Sequence, residues 1–279
     1  MAVNDGSESD VRPSMTPSTV LSVAGSDSGG NAGLAADLKT FAAHGVHGVF
    51  AVTLVTAQDT TGIAAAVPMT ADLIASQIDA VTSDFAVAAT KTGLLFTVGA
   101  IDVVASRASE LGPLVIDPVL VSSSGAPLLD GAVQEAYVQL LFPVAEVITP
   151  NVFEASLLTG IRIERRDDAV RAATELLELG PKAVLVTGLH DGAHAVDVFA
   201  SSAGTVPLEH DLIATSNVLG TGCSLSASIA ARLALGDDLS AAVVAARRYV
   251  LDGLRGSKDW RLGAGQGPID HFAHWPELR

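Results

Sequence analysis

The chain has 279 residues, 49% of them hydrophobic, and a formal charge of −15. That is ample for a full core, and it allows one large α/β domain as easily as two small ones. The acidity speaks against a nucleic-acid partner, which asks for a basic face. A single cysteine excludes an internal disulfide, and no CxxC or Cys/His cluster suggests zinc. No apolar run reaches the roughly 18 residues of a spanning helix, so no membrane partner is expected.

Residues 1–17 lack the basic start and apolar centre of a signal peptide and read as a disordered tail. The cytoplasm is the default compartment. From residue 18 to 279 no linker, repeat or charge run divides the chain, which predicts a single domain.

Within it, apolar bursts of strand length alternate with stretches of helical period. TVLSVA is nearly continuous and apolar, the mark of a strand buried on both faces. GLAADLKTFAAHG places Leu34, Leu38 and Phe41 on one helical stripe. VFAVTLVTA reads as the second strand. ADLIASQIDAV sets Leu73, Ile74, Gln77, Ile78 and Val81 along another helix. AVAATK, LVIDPVLV, VAEVITP and AVLVTG read as further strands. DDAVRAATELLELG reads as a helix ending on Gly180. AVDVFA and TVPLEH read as antiparallel edge strands. Two helices, Ser224 to Leu235 and Leu239 to Arg255, close the pattern. Alternation of this kind predicts an α/β fold, a mostly parallel central sheet with helices on both faces.

Ligands of such sheets sit beyond the carboxyl ends of the strands. After the first strand comes GSDSGGNAG, from Gly25 through Ala32 to Gly33. Asp27 or Ser28 could cap the next helix, but the length of the loop favours backbone approach to a ligand. Asp37, one turn into that helix, reads first as an exposed acid. Gln58, in AQDTTG, offers a donor and an acceptor to a planar ligand, or is simply a polar loop residue. Asp117 stands where a parallel sheet delivers a carboxylate, as a metal ligand or as a loop cap. Asn151 and Glu154 open a helix as N-x-x-E, a pattern for a capping box. The same pair could organise magnesium through water.

The stretch NVLGTGCSLSASIAARLALG holds the single cysteine, Cys223, behind Gly220, Thr221 and Gly222. A glycine turn opening a helix makes an anion site. A thiol there is expected to be pushed toward thiolate. The Walker A pattern is absent, and Leu225 breaks G-x-G-x-x-G.

In order, AGSDSGGNAGLAADLKTFAAHGVHG, TAQDTTG, TKTGLL, VIDPVLVSSSGAPLL, ITPNVFEASLLTG, LGTGCSLSASIAARLALG and GQGPIDHF resemble the hydroxymethylpyrimidine/phosphomethylpyrimidine kinase family of thiamine biosynthesis. The resemblance runs from residue 18 to 274 and implies the ribokinase-like fold. It implies phosphorylation by ATP, with Mg2+, of a pyrimidine hydroxymethyl group and then of its monophosphate. It assigns substrate binding to Gln58, Asp37, Gly25 and Ala32. Gly220, Thr221 and Gly222 become the anion hole, and Cys223 the acceptor of the hydroxyl proton. Asp117, Asn151, Glu154 and Thr187 serve the nucleotide, Asp117 and Glu154 through the metal. A homodimer is expected.

Three positions depart from the family pattern. Gly30-Asn31-Ala32-Gly33 replaces Gly-Gly-Ala-Gly, Leu219 replaces a frequent histidine, and Thr187-Gly188-Leu189-His190 replaces Lys-Gly-Gly-His. The lost lysine removes a cation from the nucleotide side. A pyridoxal or pyridoxine kinase, which shares this fold, stays open as a reading, and so does a non-catalytic pyrimidine-binding module.

Overall fold

The computed structural model describes residues 16–120 and 129–275, so most of the tail expected over 1–17 lies outside the described residues. Thr19–Ala24 forms β1, buried at all six positions. α1, Gly33–Ala43, turns Leu34 and Phe41 inward. β2, His47–Val52, pairs parallel to β1.

The run expected to be one strand then breaks at Thr53. Leu54–Asp59, β3, leaves the sheet and pairs antiparallel with β4, Gly62–Pro68, as a separate hairpin. The cause is local. Thr53 N–H donates to the Ala24 carbonyl (3.0 Å), and Thr53 Oγ1 donates to the Leu94 carbonyl (2.6 Å). Both bonds hold the chain at the strand ends and turn it outward.

α2, Ala71–Asp84, is capped by Thr70 and buries Ile74 and Ile78. Leu73, expected on that stripe, is instead 48% exposed. β5 (Val87–Thr92), α3 (Val98–Ser106) and β6 (Leu114–Ile116) follow. β6 stops at Ile116, short of the expected strand, whose last residue, Val121, lies outside the described residues. α4 (Gly131–Ala136) runs into a π turn, and β7 (Val147–Ile148) leads to α5 (Val152–Thr159). α6, Arg166–Leu177, ends with Glu178 as its cap residue. Gly180, expected as that cap, follows in a left-handed turn against Pro143. β8 (Ala183–Asp191), β9 (His194–Ser201) and β10 (Gly204–Asp211) come next. α7 spans Thr221–Ala234, three residues earlier than expected, which puts Cys223 in its first turn. α8 spans Leu239–Gly256.

The main sheet has the order β10-β9-β8-β7-β6-β5-β1-β2. Pairings from β2 to β8 are parallel, and β9 and β10 add antiparallel edges. One face packs on Ile78 of α2, Ile101 of α3 and Leu176 of α6. The other packs on Phe41 of α1, Ile229 of α7 and Val243 of α8. With both faces covered, the ligand edge is the carboxyl end of the parallel strands. Among the described residues, no helix is long and apolar enough to cross a membrane.

Candidate active site

A cavity of about 880 Å³ opens at that edge. One wall is the loop after β1. Asp27, buried, accepts from the backbone N–H of Gly29 (2.8 Å), Asn31 (2.9 Å) and Ala32 (2.8 Å). It therefore braces the loop, and the alternative of a side-chain cap for α1 is not realised, since its cap residue Ala32 has no side-chain bond. The two serines sew the loop to the hairpin. Ser28 Oγ donates to the Gln58 carbonyl (2.6 Å) and accepts from the Gln58 N–H (2.8 Å). Thr56 Oγ1 donates to the Ser26 carbonyl (2.8 Å). Gln58 thus sits near the end of β3 and lines the cavity with Gly25 and Ala32.

The floor is the mouth of α7. Gly220 is its N-cap, at φ +78°, with no side-chain cap. A Cβ there would overlap the Asn31 carbonyl oxygen, so glycine alone lets the helix mouth meet the loop after β1. The first N–H groups of a helix have no intrahelical partner, and the helix dipole adds positive potential. Gly220, Thr221, Gly222 and Cys223 all line the cavity.

Cys223 is not preset as a thiolate, contrary to expectation. Burial pushes its thiol up to about 12, and Lys91 and the Gly33 N–H oppose that shift without overcoming it. Asp117 and Asp37 push it the same way as burial. Asp117 is buried and accepts from Ser226 Oγ (3.3 Å) and from the Cys223 thiol. Burial raises its carboxyl to about 6, against the pull of Lys91.

Asp37 is the clearest departure from the sequence reading. It is fully buried and does not line the cavity. Lys91 Nζ reaches its two oxygens at 3.0 and 2.8 Å, and Ser22 Oγ donates to it at 2.6 Å. Burial works to lower the Lys91 ammonium, but Asp37, Cys223 and Asp117 together hold it well above its ordinary value. The ion pair underlies the thiol. A signal for it was available, because a lysine inside the apolar strand AVAATK must find a carboxylate once buried.

A further wall is the mouth of α5. Asn151 Oδ1 accepts from Phe153 (2.9 Å) and Glu154 (3.0 Å), and Glu154 Oε2 accepts from the Asn151 N–H (2.9 Å). The expected capping box is present. Glu154 Oε1 also accepts from Leu120 N–H (3.2 Å). Asn151, Glu154 and Asp117 line the cavity, but Thr187 and His190 do not. Thr187 is half-buried, its N–H donating to the Pro150 carbonyl (3.0 Å). Leu219 lines the cavity. Sequence reasoning gave no role to Lys91, Leu54 or Gly265, although Lys91 lies in TKTGLL and Gly265 opens GQGPIDHF.

An uncapped helix mouth facing a polar loop at the carboxyl edge of a mostly parallel sheet is the arrangement of a ribokinase-like fold. The comparisons with known proteins narrow this. The family model for phosphomethylpyrimidine kinase matches residues 27–270. A hydroxymethylpyrimidine/phosphomethylpyrimidine kinase from Synechococcus elongatus is 45% identical over 90% of this chain and 96% of its own. Among solved structures, pyridoxal kinase of Bacillus subtilis with ADP superposes with a TM-score of 0.86 at 35% identity, over 92% of this chain and 98% of that one. Phosphomethylpyrimidine kinase from Clostridium difficile superposes with a TM-score of 0.75 at 36% identity, over 85% and 99%. The chain belongs to the phosphomethylpyrimidine kinase family. It is a phosphotransferase of thiamine biosynthesis, and its family implies ATP as the phosphate donor.

Proposed function

We propose that the chain transfers the γ-phosphoryl group of ATP to 4-amino-5-hydroxymethyl-2-methylpyrimidine and then to its monophosphate. The observation that carries this is the uncapped mouth of α7, which lines one cavity with the Gln58 loop on one side and Asp117, Asn151 and Glu154 on the other. Gln58 reads the aminopyrimidine edge, beside Gly25 and Ala32. Asp37 no longer belongs with them, and its support is indirect, through Lys91. The backbone of Gly220, Thr221 and Gly222 receives the transferred phosphoryl group, whose charge spreads over its oxygens in the transition state.

Cys223 takes the hydroxyl proton. It does so as thiolate, which Lys91 and the Gly33 N–H favour and burial opposes. The proton moves late, once the forming P–O bond has made the hydroxyl acidic, so little base strength is required.

The donor set fits magnesium, which keeps several waters and binds through one or two carboxylates plus phosphates. Two buried carboxylates, Asp117 and Glu154, line the cavity, and a carboxyl raised to about 6 by burial is one that a cation would relieve. These two would hold the ion, which would neutralise phosphate charge. Among the described residues no group of three metal-ligating side chains forms a tighter site.

The homodimer reading is supported by the hairpin. All seven residues of β4 are exposed, Ile63 at 47% and Val67 at 60%, and its outer edge is unpaired. A free thiol at the reaction centre suits a reducing compartment, and we place the enzyme in the cytoplasm.

The test is a turnover assay with Mg·ATP and either the hydroxymethylpyrimidine or pyridoxal, products followed by mass. Sequential mono- and diphosphate formation on the pyrimidine is expected. Preference for pyridoxal would overturn the substrate assignment.

A further inference from the structure

The roof of the cavity is a joint between two segments far apart in the chain. The β3–β4 turn is set by Asp59, whose Oδ1 accepts from the Thr61 N–H (2.7 Å) and hydroxyl (2.6 Å) and from the Gly62 N–H (3.2 Å). That turn presents Thr60 to the segment before Pro268. Thr60 Oγ1 accepts the N–H of Gly265 at 3.0 Å. The fit leaves no room for side chains. A Cβ on Gly265 would overlap the Thr60 carbonyl oxygen, and one on Gly263 would overlap Thr60 Oγ1. Thr60 and Gly265 both line the cavity.

Each partner is anchored to a different half of the site. The hairpin is sewn to the substrate loop through Ser28 and Gln58. The segment after Gly265 is fixed to the mouth of α7, where Leu219 N–H donates to the Gly267 carbonyl at 3.0 Å. Asn217, packed against Gly267, is held in turn by the Ser257 (2.6 Å) and Trp260 (3.0 Å) carbonyls. The hydrogen bond between Thr60 and Gly265 therefore joins the two halves at the rim, beyond the contact of Gly220 with the Asn31 carbonyl at the floor.

We propose that Thr60 is a positioning residue that locks the substrate-side hairpin to the phosphate-side loop at the exposed rim of the cavity, so that hydroxyl and phosphoryl group are held together and water has less access to them. The proposal rests on the assignment of Gln58 to the pyrimidine and of the α7 mouth to the phosphoryl group. It has a chemical consequence. With the joint broken, water reaches the γ-phosphorus. The bridging P–O bond of ATP breaks to give ADP, a new P–O bond forms to the water oxygen, and its proton goes to solvent. ATP is then consumed without phosphorylated pyrimidine.

The experiment measures ADP and phosphorylated pyrimidine in the same samples, with full-length protein and Mg·ATP. Thr60→Val keeps the shape and removes the acceptor. It should raise the KM for the pyrimidine about 3- to 10-fold, the worth of one hydrogen bond, and give clearly more than one ADP per phosphorylated product. Thr60→Ser, which keeps the acceptor oxygen, should restore both. Gly265→Ala, which blocks closure outright, should show the same uncoupling more strongly. A Thr60→Val enzyme with wild-type KM and one ADP per product overturns the proposal, as does a Thr60→Ser enzyme no better than Thr60→Val. The substrate assignment beneath it is judged on the wild type alone, which must phosphorylate the pyrimidine whatever the variants do.

Discussion

Two helices open into the same cavity, and their first turns are built in opposite ways. α5 is doubly capped: Asn151 occupies the N–H groups of Phe153 and Glu154, and Glu154 returns to Asn151. α7 starts on a left-handed glycine with no side-chain cap. A closed cap consumes N–H groups at the positive end of a helix and buries its carboxylate among them, while an open one keeps its N–H groups for a ligand. On the proposed function, the pair would divide the work on a nucleotide triphosphate, with cation handling at α5 and anion handling at α7. Both starts were legible as motifs, but only the coordinates show that one is satisfied and the other open.

The largest effect should come from emptying the open end of its side chain. Cys223→Ala is expected to lower kcat by about 10²–10⁴, the usual cost of a lost general base. Cys223→Asp should retain more activity than Cys223→Ala. The thiol held near 12 adds a sign. A base whose pKa lies above the assay pH gains ionised fraction as pH rises, so wild-type kcat should climb through pH 7 to 9. Alkylation by iodoacetamide should climb in parallel. A flat profile for both would remove Cys223 from the base role.

Gly220→Ala attacks the backbone of the same helix mouth. The residue would carry an unfavourable positive φ and push its Cβ into the Asn31 carbonyl. Displacing the anion hole should cost about 10²–10³ in kcat, alongside a lower melting temperature. Loss of stability with full turnover in the surviving fraction would mean the hole lies elsewhere.

At the closed end, cap and charge can be separated. Glu154→Gln can complete the capping box but leaves the buried Leu120 N–H without its acceptor, which should cost about 1–3 kcal/mol of stability. It removes a carboxylate, so the magnesium concentration for half-maximal rate should rise about tenfold. Asn151→Ala should also lose stability, about 1 kcal/mol, with a smaller effect on the magnesium requirement. Identical behaviour of the two variants would show that α5 serves folding alone.

The limits of the sequence follow the same physics. Strand and helix types were readable where periodicity was strong, as in β1 and α1. The break at Thr53 was not, because the apolar run continues across it and the bend comes from bonds to Ala24 and Leu94. β4 was missed because GIAAAVP is exposed throughout and shows no alternation. Asp37 was misplaced because an acid at an i+4 position looks solvated until its partner, 54 residues away, is known.

The smallest effect concerns the lysine that the family pattern has and this chain lacks. Read from sequence, Thr187→Lys would add a charge-assisted hydrogen bond to ATP, about 1.5–3 kcal/mol. The structure argues for less. Thr187 does not line the cavity, and its backbone is tied to Pro150 beside Asn151. A lysine added there would reach the phosphates from a hydrated position, where an ion pair contributes about 0–1 kcal/mol. Apparent ATP affinity should then improve by less than about fivefold, and the gain should fade as salt rises. His190 is exposed and also outside the cavity, so it offers no substitute cation. The check is ATP titration of Thr187→Lys and the wild type at low and high ionic strength. A gain above tenfold that survives salt would mean that the β8 bulge at Gly188 closes onto bound nucleotide, and that the cation deficit at this wall is larger than its geometry implies.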